Sequence, residues 1–145
     1  MTPEISKIKF FYPFDDFSFR SRTKVKRFLL VLIKNERKKL VHLNYIFSSD
    51  KLVLQLNKKF LAHNYKTDIL TFPLSEIDIN AEIYISVERI KKNSKRFRTS
   101  FQQEFLRVMI HGILHLCGYN DLNKAQTKKM RSREDYYLDL FKSFT

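Results

Sequence analysis

The sequence has no tryptophan, a single cysteine, three prolines and only two glycines. One cysteine, Cys117, excludes an internal disulfide framework and suits a reducing compartment. Without a Gly/Ser-rich or low-complexity tract there is no linker on which to divide the chain. No segment repeats, which removes solenoid and array architectures. Long apolar runs are missing too: each is broken by a charge or a histidine, so no stretch spans a bilayer. The opening MTPEISKIKFFYPFDDF lacks the basic start and unbroken apolar core of a secretory signal. These absences point to a cytoplasmic protein with no membrane partner, folded as one domain over residues 1–145. They specify no oligomeric state.

Acidic residues are the remaining shortage. Fifteen Asp and Glu face 28 Lys and Arg, a formal net charge of +13. Drift in composition would scatter the lysines, whereas the basic residues gather in RSRTKVKR (20–27), KNERKK (34–39), RIKKNSKRFR (89–98) and KKMRSR (128–133). Such clusters favour a polyanionic partner, because neutralised phosphates release condensed counterions.

Core material is plentiful, with 14 Phe, 7 Tyr and 43% hydrophobic residues. IKFFY (8–12) reads as a strand closed by Pro13, LVHLNYIF (40–47) as a second, DILTF (68–72) as a third ended by Pro73, and AEIYIS (81–86) as a fourth. Helical spacing of Val25, Phe28, Leu29 and Leu32 predicts a basic helix over 21–35. Caps in SSD (48–50) open a helix carrying Leu52, Leu56, Phe60 and Leu61, and a basic helix follows at about 86–96. Ser100 and Gln103 form a capping box for a helix through FLRVMIHGILHLC, apolar almost all round and therefore the central buried one. A last helix, about 123–143, carries Met130, Tyr137, Leu138 and Phe141. The expected fold class is α+β, a mixed four-stranded sheet packed with about five helices.

Both glycines, Gly112 and Gly118, and two of the four histidines fall in HGILHLCGYND (111–121). His111 and His115 stand one helical turn apart on one face. Gly118 stops the helix where a positive φ is free for glycine, and Asp121 can swing back toward that face. Two imidazoles and a carboxylate, with a fourth position open to water, form the donor set of a catalytic zinc-type site. Satisfied core histidines are the plainer alternative. Burying two imidazoles without partners costs roughly 1–3 kcal/mol each, which a shared metal removes. In zinc metalloproteases of the HExxHxxGxxH type a glutamate follows the first histidine as general base. Gly112 occupies that position here, so peptide hydrolysis by that route is disfavoured.

HGILHLCGYND resembles HGxLHLxGYDH, the signature of the YbeY family of metal-dependent single-strand endoribonucleases. LNKKFLAHNYKTDILTFP (56–73) is similar to that family's LN…TDVLSFP segment, AEIYIS to its GDIxIS strand, and MRSREDYYL (130–138) to its M-x3-E helix. The resemblance implies a hydrolase of single-stranded RNA, with one divalent ion, most simply Zn²⁺, held by His111, His115 and Asp121. It further implies ribosomal RNA as substrate, in maturation of the small-subunit RNA 3′ end and ribosome quality control, with the ribosome as partner. Asp121 stands where the family usually has histidine, Asn120 where it has aspartate, and Leu61 where it has arginine. The missing guanidinium passes substrate binding to His63 or Lys66, with Arg107 a further candidate, to hold a phosphate or an acidic residue behind the site; no catalytic base is assigned. Rival readings are a metal-dependent hydrolase of another bond and a non-catalytic RNA-binding ribosome-assembly factor. An open fourth position disfavours a purely structural metal.

Overall fold

The computed structural model describes residues 3–12, 21–62 and 67–145. A 3-10 turn, Pro3–Lys7, leads into β1 (Ile8–Phe11), then α1 (Arg22–Asn35), β2 (Leu40–Ser48) and α2 (Asp50–Leu61). β3 (Ile69–Pro73), β4 (Ile79–Ser86), α3 (Val87–Arg96), α4 (Phe101–Leu116) and α5 (Lys124–Lys142) complete the described elements. Pro13, expected to close β1, lies outside the described residues.

The sheet has the order β1-β2-β4-β3 and is mixed, as expected. β1, β2 and β4 run parallel, and β3 pairs with β4 in antiparallel fashion at the edge. Parallel neighbours need a crossover, and α1 supplies it between β1 and β2. β3 and β4 need only the short connection 74–78, where the Ser75 hydroxyl accepts from the Ile77 and Asp78 N–H groups at 3.2 and 3.1 Å.

Alternation along the strands places Leu43, Tyr45 and Phe47 of β2 beside Ile79, Ala81, Ile83 and Ile85 of β4 on one fully buried face. α4 crosses that face. The buried Tyr45 hydroxyl donates to the Met109 carbonyl at 2.9 Å and sets the helix's position along the sheet. A Cβ at Gly112 would come within 2.9 Å of Ile69 Cδ1 and 3.0 Å of Ile83 Cδ1, so glycine lets the helix lie close. α5 covers α4 with Met130, Tyr137 and Leu138, all buried, and the Phe28 ring of α1 meets Tyr137 and Phe141 edge-on. Hydroxyls of Ser49, Ser86 and Ser100 and the Asn123 side chain accept from backbone N–H groups in the first turns of α2, α3, α4 and α5.

α2 departs from its expected face. Val53 and Asn57 are buried, while Phe60 and Leu61 are exposed. The helix lies against β3 and β4 beside the site, and Phe60 packs edge-on against the Phe72 ring at 5.9 Å rather than entering the core. No described helix is long and apolar enough to cross a membrane.

Candidate metal centre

His111 and His115 occupy successive turns of α4, their rings 4.5 Å apart and nearly perpendicular at 83°. The helix ends at Leu116, and Gly118, with φ 101°, reverses the chain. That φ is one L side chains rarely adopt, which accounts for the second glycine. The Gly118 N–H donates to the His115 carbonyl and the Tyr119 N–H to the Leu114 carbonyl, both at 3.0 Å. The turn brings Asp121 back over the histidines. Its Oδ2 lies 3.5 Å from His111 Nε2 and 3.4 Å from His115 Nε2, and one donor atom from each of the three falls within 4.8 Å of the others.

This geometry can be tested against a metal. Tetrahedral zinc with nitrogen and oxygen ligands at ~2.0–2.1 Å sets its donors about 3.3 Å apart, close to both Asp121 separations. Two imidazoles and a carboxylate are donors zinc accepts, and three protein ligands leave a coordination position free. The residues present fit such an ion.

A supporting layer lies behind the donors. Glu134 of α5 sets its Oε2 2.6 Å from His111 Nδ1. With the proton on Nδ1 the ring donates to that carboxylate, and the Nε2 lone pair faces Asp121. Arg107 donates from Nη1 to Glu134 Oε1 at 2.9 Å and from Nη2 to Asp135 Oδ1 at 2.7 Å. Burial alone would push the Glu134 carboxyl up, but His111 and Arg107 outweigh it and hold the group below the usual carboxylate range. Burial would likewise push His111 down, and the Glu134 carboxylate reverses that to a raised value. His115 is lowered by burial and by its neighbour His111, which outweigh the nearby Asp121 carboxylate. Burial pushes the Cys117 thiol up to about 12, which fits an inert packing residue.

The turn itself is tied to the rest of the fold. The Tyr119 hydroxyl donates to Glu36 Oε1 at 2.9 Å. Arg133 donates to Glu36 Oε2 at 2.6 Å, and the Tyr137 hydroxyl donates to the same oxygen. One carboxylate at the end of α1 thus holds the turn that leads to Asp121 against α5.

Two clefts meet at the donors. One, of about 1130 Å³, lies between α3, α4 and α5; the other, of about 520 Å³, lies toward β3. His111, Asp121 and Asp68 line both. Asp68 precedes β3, and burial raises its carboxyl despite the nearby His111.

Of the expected substrate-binding residues, His63 and Lys66 lie outside the described residues. Arg107 lines the larger cleft and holds Glu134, the acidic residue behind His111. Leu61, at the position where arginine was expected by resemblance, lines the smaller cleft together with His111, His115 and Asp121. Sequence reasoning assigned no role to Glu134, Asp68 or Glu36. A signal for Glu134 exists: it follows Met130 by four residues and precedes Tyr137 and Leu138 on the buried stripe of α5, where a carboxylate requires a partner. Asp68 falls in the TD pair of the segment 56–73 quoted above, whereas no comparable local pattern marks Glu36.

Fold and site together define a class: a small α+β protein whose central helix and following turn converge donors for a metal ion where two clefts meet. The sequence profile of the family described as Endoribonuclease YbeY matches residues 14–142. Endoribonuclease YbeY of Flavobacterium psychrophilum is 42% identical over 127 residues, which are 87% of this chain and 91% of that protein. Endoribonuclease YbeY of Cytophaga hutchinsonii is 39% identical over 137 residues, 93% of this chain and 96% of that protein. The solution structure of TM1509 from Thermotoga maritima superposes with a TM-score of 0.66 at 31% identity, covering 92% of this chain and 88% of that one. The chain belongs to the YbeY endoribonuclease family.

Proposed function

We propose that this chain is a metal-dependent endoribonuclease of single-stranded RNA, working in the cytoplasm on ribosomal RNA. Maturation of the small-subunit RNA 3′ end and ribosome quality control are the tasks we assign to it. The observation that carries the reading is the convergence of His111, His115 and Asp121 where the two clefts meet, with Glu134 orienting one imidazole from behind. An RNA strand lying along both clefts passes directly over the three donors. Names of relatives matched over most of their length support RNA as the substrate, and so does the net charge of +13.

In this reading His111, His115 and Asp121 hold Zn²⁺. When bound, the ion polarises a phosphoryl oxygen and favours ionisation of water. The chain's own residues do the rest. Glu134 fixes the His111 tautomer and Arg107 fixes Glu134. Asp68 lines both clefts and is the carboxylate to which we assign the proton of the attacking oxygen. His63 and Lys66 supply the cations that hold phosphates, while Arg107, of the two roles expected for it, takes that of holding the acidic residue behind the site. Asp68→Asn therefore lowers kcat by roughly 10²–10⁴ while the ion is retained.

Mass spectrometry of protein purified without added zinc, run beside cleavage of a single-stranded RNA, tests the reading. Wild type should carry a stoichiometric divalent ion and cleave. His111→Ala and His115→Ala should lose both ion and cleavage, because two remaining ligands hold the metal poorly. Should both variants keep a stoichiometric ion, the assigned centre is wrong.

A further inference from the structure

Phe97 stands apart from the other large aromatic side chains of α3 and α4. Phe101 and Phe105 pack against each other and into the core, whereas Phe97 is 49% exposed. It lines the larger cleft together with Lys124, Lys128 and Arg131 of α5. Among the described lining residues it is the only phenylalanine, tyrosine or tryptophan. Cations flank it in sequence, and the Arg96 guanidinium lies 5.5 Å from the ring centroid.

The ring is held on an ordered turn. Phe97 caps α3, and its N–H donates to the Asn93 and Lys95 carbonyls. Arg98 follows at φ 55°, and the Thr99 N–H closes the turn on the Ser94 carbonyl at 2.9 Å. A helix ending of this kind usually places glycine at the left-handed position, but here the position holds Arg98, the second arginine flanking Phe97 in sequence. An exposed phenylalanine between arginines, lining the same cleft as Lys124, Lys128 and Arg131, provides a flat apolar face in a cleft that also carries charges suited to phosphates. The cleft, at about 1130 Å³, exceeds the usual small-molecule site of ~300–1,000 Å³ and suits a length of chain.

We infer that Phe97 is a base-stacking platform: an unpaired nucleobase of the RNA lies on its ring while Lys124, Lys128 and Arg131 take the adjoining phosphates. This rests on the RNA reading above and adds a subsite to it. Every base has a π-face, so the platform tolerates any sequence. A base inside a duplex already has both faces covered by its neighbours, so the same contact selects unpaired strands.

The absence of tryptophan supplies a clean test. F97W places the sole indole of the chain in the cleft. Titration with a short single-stranded oligoadenylate should quench its emission and saturate in step with binding, and the duplex of the same length should leave it unchanged. Phe97→Leu keeps an apolar side chain but removes the ring. It should raise KM for single-stranded RNA at least about fivefold, with kcat, metal content and Tm near wild type, as loss of one base–aromatic stack requires. F97W should cleave with wild-type KM. Wild-type KM in Phe97→Leu, or an indole unmoved by saturating oligoadenylate, overturns the platform while wild-type cleavage leaves the nuclease reading standing. If wild type neither binds nor cleaves RNA, both fall together.

Discussion

Asp121 is one of three residues at which this chain departs from the pattern it resembles, and its position fits that of a metal donor. Its Oδ2 sits 3.5 and 3.4 Å from the two histidine Nε2 atoms, separations a metal's coordination edges require. A carboxylate brings a full negative charge where histidine brings none, so it would lower the Lewis acidity of an ion held there. Asp121→His should keep the ion bound and raise kcat, measured on metal-loaded protein against the same RNA. Leu61 is the complementary case. It borders the smaller cleft beside His111, His115 and Asp121, so a guanidinium there can reach a phosphate held at the donors. Charge-assisted hydrogen bonds contribute roughly 1.5–3 kcal/mol, about one to two powers of ten in rate if made in the transition state. Leu61→Arg should therefore accelerate cleavage by about that factor, with metal content unchanged. An unchanged rate would show that another cation already serves.

At the scale of elements, the helix ends and the donor triad are legible in the sequence because short-range bonds create them. Ser100 accepts from the N–H of Gln103 three residues on, and the triad lies within a single helix-plus-turn segment. What supports the triad is not legible, because it arrives from far along the chain. Glu134 meets His111 across 23 residues, and Glu36 meets Tyr119 across 83 and Tyr137 across 101. The exposed Phe60 of α2 escapes sequence reading for the same reason, since its place depends on an edge strand that follows later. Glu36 makes the element-scale prediction. Its side chain is 8% exposed and joins the end of α1, the turn that leads to Asp121 and α5. Glu36→Ala strips the acceptor from two tyrosines and an arginine, at a cost of roughly 2–4 kcal/mol. Calorimetry should show Tm falling by roughly 5–15 °C. Zinc affinity, read by chelator competition, should fall in parallel as Asp121 loses its support. Burial would raise the Glu36 carboxyl, but hydrogen bonds from Tyr137, Arg133 and Tyr119 bring it below its usual value. A depressed folded pKa contributes stability above the unfolded value of about 4.3, lost as pH falls through the folded one. The acid limb of the Tm–pH curve should accordingly be shallower in Glu36→Gln than in wild type.

At the scale of the molecule the question is whether the charge of +13 has an address. The basic stretches sit on α1, on its C-terminal turn, on α3 and on α5, but the clefts do not sample them equally. Lys124, Lys128 and Arg131 of α5 line the larger cleft, whereas none of the described residues lining either donor-bearing cleft comes from α1. Counterion release makes the distinction measurable. For single strands each neutralised phosphate contributes about 0.7 to the slope of log K against log salt, so loss of three contacts flattens the slope by about two units. Replacing Lys124, Lys128 and Arg131 with glutamine should produce that change in single-stranded RNA binding, whatever the sequence of the RNA. Replacing Arg27, Lys34 and Lys39, which are exposed and line neither cleft, removes the same charge and should leave the slope within about half a unit of wild type. Equal flattening in the two triple variants would mean that the protein attracts RNA as a diffuse cation. A change confined to the α5 variant would place the strand in the cleft that runs past His111 and Asp121.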